Sequence, residues 1–101
     1  MYERNLVALV KQLRSEFDAH QAKFVVATLG QTEMSTASGT EKVILDAMLA
    51  VDGNSGMHPD FFGNVATVYS HPLSKGGSSN AHYNGNAETY MNIGEAMGRA
   101  M

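Results

Sequence analysis

The sequence predicts an α/β fold in the order helix–strand–helix–strand–helix. Three observations carry this. The opening residues keep a helical rhythm, two later runs are short, apolar and rich in β-branched residues, and the stretch between those runs holds a second amphipathic helix. A strand–helix–strand unit of that length implies parallel strands joined by a right-handed crossover, with helices on both faces of the sheet.

In the first segment Tyr2, Leu6, Leu9, Val10, Leu13 and Phe17 recur at the spacing of one helix face. Glu3, Lys11, Arg14, Glu16 and Asp18 fall mainly off that stripe. Phe24 to Leu29 is a continuous apolar run ending at Gly30, as expected of a strand buried on both faces. Gln31 to Gly39 is polar and small, hence a loop. Ser38 and Glu41 have capping-box spacing, and Ile44, Ala47, Met48 and Val51 then mark one face of a helix. Asp52 to Gly56 stops that helix. It begins like a calcium loop, but Gly56 takes a ligand position and Gly63 stands where the bidentate Glu belongs, so it reads as a turn.

Asn64 to Tyr69 is the second strand, with Pro72 just beyond it. Leu73 to Ala81 is a loop, and the last helix starts near Asn86 with Ala87, Tyr90, Met91, Gly94, Met97 and Met101 on one face. Gly94 and Gly98 each cost about 1 kcal/mol of helix propensity relative to Ala, which close packing on their shared face would offset. Two strands make an incomplete sheet with two unpaired edges, so the missing strands are expected elsewhere or in a partner. The chain also opens and closes within helices, which reads as a piece of a longer protein.

The chain has 101 residues, 44% hydrophobic and 17% charged, in the range of one small globular unit over 1–101. A net charge of −3 with scattered Lys and Arg argues against a nucleic-acid partner. No apolar run has the length of a membrane span, and no secretory leader is recognisable at Met1 to Asn5, which leaves localisation open. With no Cys and no histidine pair at helical zinc spacing, neither a metal nor another cofactor is expected.

Among His20, His58, His71 and His82, the last has the most suggestive setting. It lies in a loop after a parallel strand and just before a helix, amid Asn80, Tyr83 and Asn84. In open α/β sheets, ligands bind outside the carboxyl ends of the strands. Position alone favours a solvated histidine in a polar loop.

The run from His82 to Gly98, His-Tyr-Asn-Gly-Asn-Ala-Glu-Thr-Tyr-Met-Asn-Ile-Gly-Glu-Ala-Met-Gly, resembles the C-terminal block of sialate O-acetylesterase-like proteins of the SGNH hydrolase superfamily. Tyr2 to Leu6, Lys23 to Gln31 and Gly63 to Val68 are similar to earlier parts of the same proteins. The resemblance implies the C-terminal half of a flavodoxin-like three-layer sandwich and an esterase acting on acylated carbohydrate. It implies a Ser nucleophile in an early Gly-Asp-Ser or Gly-Gln-Ser turn, with His82 as the base that takes the hydroxyl proton.

Besides the chain ends, two departures qualify that expectation. Gly30-Gln31-Thr32-Glu33-Met34 imitates a nucleophile turn, but Thr32 stands where Ser belongs and the strand before it is a late one. Ser79 stands where many relatives carry an orienting Asp. Asp60, Glu33 and Glu88 are equal candidates for the missing acid. The expectation is therefore a histidine-bearing segment of a carbohydrate acetylesterase, inactive by itself. The alternative is a non-catalytic homo-oligomer assembling through the exposed edges of Lys23–Leu29 and Asn64–Tyr69.

Overall fold

A computed structural model describes residues 2–30, 32–74 and 86–101. The order of elements is α1 (Tyr2–Glu16), β1 (Phe24–Ala27), α2 (Gly39–Ala50), β2 (Val65–Val68) and α3 (Ala87–Ala100), with single 3-10 turns at Gly53–Ser55, Pro59–Phe61 and His71–Leu73. β1 and β2 pair in parallel, Phe24 opposite Val65 through Ala27 opposite Val68. The expected α/β order therefore holds, with each strand a little shorter than its apolar run.

Side chains alternate between the faces of a strand. Phe24, Val26 and Val65 join Val10, Val51 and Phe61 in a core roofed by α1 and the end of α2, with Leu6 and Val7 packed against it. Thr67 points the same way, its hydroxyl donating to Met48 O at 2.6 Å. The opposite face of both strands is covered by α3. All four residues of β1 are only half-buried, so the strand is not enclosed as its composition suggests. Among the described residues the sheet has two strands, so one side of each has no strand beside it.

Arg14 corrects the expected face of α1. It is buried, not solvated, at 9% exposure. Its guanidinium donates to Ala22 O through Nε (3.1 Å) and Nη2 (2.7 Å), and Nη2 also donates to Asn64 O (3.2 Å) and Asn64 Oδ1 (2.9 Å). Its planar head also lies over two rings, 5.2 Å from the Phe24 centroid and 5.8 Å from that of Phe61. A flat cation with five donors meets carbonyls and ring faces together, which the compact ammonium of Lys does not. The buried side of α1 is accordingly Leu6, Val7, Val10 and Arg14, while Leu9 (52%) and Phe17 (72%) of the expected stripe are exposed. Just past the helix, Asp18 adopts φ 51°, and Ala19 N–H reaches back to Arg14 O at 2.8 Å. Asp tolerates that left-handed conformation better than most residues.

Two other helix expectations change in detail. Ser38 does occupy the N-cap of α2, but its side chain makes no capping bond. In α3 the buried residue is Thr89, and Met91 (74%), Tyr90 and Met101 on the expected apolar face are exposed. A Cβ at Gly94 or Gly98 would meet nothing within 4 Å, so no helix packs closely there among the described residues. Gly53 is the opposite case. A Cβ there would run into the carbonyl oxygen of Phe61, so the turn after α2 lies directly against the backbone that leads into β2.

Replacing Arg14 with Met keeps the stem and strips the donors from Ala22 O and Asn64 O. The expected cost is about 2–4 kcal/mol, the range for leaving buried hydrogen-bonding groups unpaired. Urea denaturation should show it, and Arg14→Lys should recover only a minor part. A loss under about 0.5 kcal/mol, the size of an ordinary surface change, would mean the cluster is not structural.

Candidate functional site

The carboxyl ends of the two strands are clasped together. Thr28 is buried and its Oγ1 accepts from Ser70 N–H at 2.9 Å. Thr28 N–H itself donates to Val68 O at 2.9 Å, extending the ladder one residue past β1. The Tyr69 hydroxyl accepts from Met34 N–H at 2.6 Å. His71 Nδ1 donates to Gly30 O at 2.8 Å, and Ser74 Oγ donates to the same oxygen at 3.2 Å. The loop after β1 is thus tied at several points to the turn after β2.

Within the clasp, His71 Nε2 faces Glu33 Oε2 at 3.8 Å, and Glu33 Oε1 accepts from Ser35 Oγ at 2.8 Å. The carbonyl of Gly30 places a proton on Nδ1, so the imidazole is oriented by its neighbours. Among the described residues no hydroxyl is hydrogen-bonded to this ring, so none is paired with His71 as a nucleophile would be with its base. The sequence held a signal for His71, a histidine directly after a parallel strand, but no motif surrounds it.

The site residues expected from sequence are distributed as follows. His82 lies outside the described residues, as do Asn80, Tyr83, Asn84 and Ser79. Thr32 is buried, with its N–H on Leu29 O at 3.1 Å, a poor setting for a nucleophile that substrate must reach. Glu33 is turned toward His71. Asp60 sits in the turn before β2, at the amino end of the strands, where it pairs with Lys11 at 3.5 Å. Glu88 is in the first turn of α3. α3 packs near the turn His71–Leu73 and runs toward the amino end, where Lys23 Nζ donates to Met101 O at 3.2 Å. Glu33 and Glu88 therefore share the carboxyl end, and Asp60 does not.

A small cleft of about 130 Å³ between Lys23, Val25, Asn54, Asn64, Ala66 and Met101 opens at the amino end, away from the clasp. Among the described residues no three His, Asp or Glu side chains gather as metal ligands would. Comparison with protein-family models, with curated proteins and with solved structures finds no match.

Ser70 supplies a test of the clasp. Its Oγ is buried and has no hydrogen-bond partner among the described residues, whereas its N–H depends on Thr28. Thr28→Val should cost about 1–3 kcal/mol by orphaning that N–H, while Ser70→Ala, which removes an unmatched hydroxyl, should be neutral or stabilising. Parallel urea titrations compare the two. Equal destabilisation by both would contradict this assignment of the bonds.

Proposed function

We propose that this chain is the C-terminal, histidine-bearing segment of a carbohydrate O-acyl esterase of the SGNH, sialate O-acetylesterase-like type, within a flavodoxin-like sandwich. In this reading His82 is the general base. The observation that carries it is the arrangement at the carboxyl ends of the strands. The segment bearing His82 leaves from Ser74, which is bonded to Gly30, and rejoins at Asn86, whose Oδ1 caps α3 by accepting from Thr89 N–H at 2.8 Å. Both anchors belong to the end of an α/β sheet where ligand sites form.

The chain contains no Gly-Asp-Ser or Gly-Gln-Ser turn, so the nucleophile must come from outside these residues. The serine hydroxyl would attack the ester carbonyl, pass its proton to His82 and release the sugar hydroxyl as His82 returns the proton. Water would then remove the acyl group by the same route. Glu33 is already shared with Ser35 and His71, while Glu88 stands near the start of α3. Of the three acids considered, Asp60 is the least suited, since it lies at the amino end.

Alone, the chain should hydrolyse nitrophenyl acetate no faster than buffer. Supplied with a separately produced segment bearing the serine turn, it should hydrolyse an acetylated sugar. His82→Ala should lower that activity by roughly 10²–10⁴-fold, the usual contribution of a general base. Turnover by the isolated chain well above buffer that vanishes in His82→Ala would overturn the expected inactivity, and turnover that survives it would overturn the role of His82. Failure of a bound complementing segment to give any hydrolysis would also overturn it.

A further inference from the structure

The two strands treat their outer edges differently. Phe24 N–H donates to Asn64 O and Thr28 N–H to Val68 O, so alternate residues of β1 face β2, and the N–H and C=O groups of Val25 and Ala27 point outward. Among the described residues those outward groups have no hydrogen-bond partner. On β2 the outward N–H of Thr67 is taken by Asp52 Oδ2 at 2.9 Å, while Asp52 Oδ1 accepts from Asn54 N–H at 2.7 Å. The turn after α2 therefore blocks the outer edge of β2, and nothing among the described residues covers that of β1.

The layer above β1 is open on the same side. Leu9 and Lys11 lie about 100° to either side of Val10 on α1, because a helix turns once in about 3.6 residues. Lys11 reaches Asp60, which belongs to the segment leading into β2. Leu9 and Leu13 are thus on the flank turned away from β2, over the open edge, and both are exposed. Bare backbone groups below and an apolar flank above select a β-strand that carries its own apolar helix.

We propose that this edge pairs with a second copy of the chain, β1 against β1 in antiparallel register about a two-fold axis at Val26. The register follows from which groups are free. Val25 of one copy meets Ala27 of the other, each pair exchanging two hydrogen bonds, so all four outward residues are satisfied together. The axis keeps α1 and its copy on one face, where the Leu9 and Leu13 flanks meet. Tyr2 and Leu6 continue this flank, and it carries charge only at its end, at Glu16. Because Asp52 blocks the other edge, pairing closes at a dimer with a four-stranded sheet and does not extend into a filament.

This proposal stands independently of the esterase reading, since it concerns association and not hydrolysis. The two are linked, however, because a serine-bearing segment completing the sheet would compete for the same edge.

The natural chain has no Cys, so Val26→Cys is an unambiguous reporter. Across the axis, Val26 faces its own copy as a non-hydrogen-bonded pair, with Cα atoms about 4.5 Å apart, close enough for a disulfide. Sedimentation of the full chain at about 50 μM is expected to give a dimer, since transient strand-edge contacts are typically weak to micromolar. Mild oxidation of Val26→Cys should trap that dimer. Val25→Pro should give a folded monomer by circular dichroism, because it deletes an outward N–H and spares the ladder to β2. Leu9→Lys with Leu13→Lys, which leaves the strand untouched, should likewise shift the protein to monomer. A compact wild-type monomer at that concentration overturns the proposal. So does a dimer that persists in folded Val25→Pro or in the lysine variant. If the wild type is monomeric yet binds the serine-bearing segment, and Val25→Pro does not, the edge belongs to that segment instead.

Discussion

Arg14 holds the amino ends of the structure together. Its guanidinium joins the end of α1 to the loop at Ala22, nearby in sequence, and to Asn64 just before β2, at a separation of 50. Among the described residues no carboxylate pairs with it. The charge is carried by carbonyl oxygens and the faces of Phe24 and Phe61, an arrangement that suits a weakly hydrated, planar cation. Asn64 extends the junction, donating its amide to Asp60 O at 3.0 Å while its Oδ1 receives Arg14. The register of β1 on β2 begins at this point, with Phe24 N–H on Asn64 O. The clasp at the far ends of the strands can form only if that register is set.

The α/β order was legible because it rests on period alone. The rhythm of α1, the β-branched runs and the Asn86 cap are local signals, and local signals survive folding. The faces of the helices were less legible. Periodicity assigned Arg14 to solvent and Leu9, Leu13 and Phe17 to the core, because it weighs hydrophobicity and not the ability of a cation to be satisfied by backbone. In α3 the side that meets the sheet carries Thr89, while Met91 is left outside. A helix covering only two strands has too little sheet beneath it to bury every apolar residue. The same shortage leaves β1 half-buried.

At the candidate site, sequence spacing pointed to the carboxyl ends of the strands, and the residue it singled out there, His82, lies outside the described residues. Thr28, Tyr69, Ser70 and His71 look unremarkable in the sequence, yet they join the two loops. Their role depends on the partner each finds across the strands, and those partners lie about forty residues away, as with Thr28 and Ser70 at a separation of 42. Thr32, which imitates a nucleophile turn in sequence, is buried beneath the loop. His82 was singled out by a block of residues around it, a kind of signal that neither burial nor hydrogen bonding supplies.

The edges of the sheet connect fold and function. A strand's unpaired N–H and C=O groups are costly unless water or another backbone satisfies them. Asp52 caps the outer edge of β2 with its own carboxylate, so β2 has the character of a terminal strand. Among the described residues β1 has no such cap, and α1 presents leucines above it. In the esterase reading the rest of the sheet joins at β1, and in the dimer a second copy does. Both place the seam on the same side, and both follow from one asymmetry, that Asp52 occupies Thr67 N–H and nothing among the described residues occupies those of Val25 and Ala27. Self-pairing would then keep a lone segment's open edge covered, and a serine-bearing segment would have to displace the second copy before an active site could form.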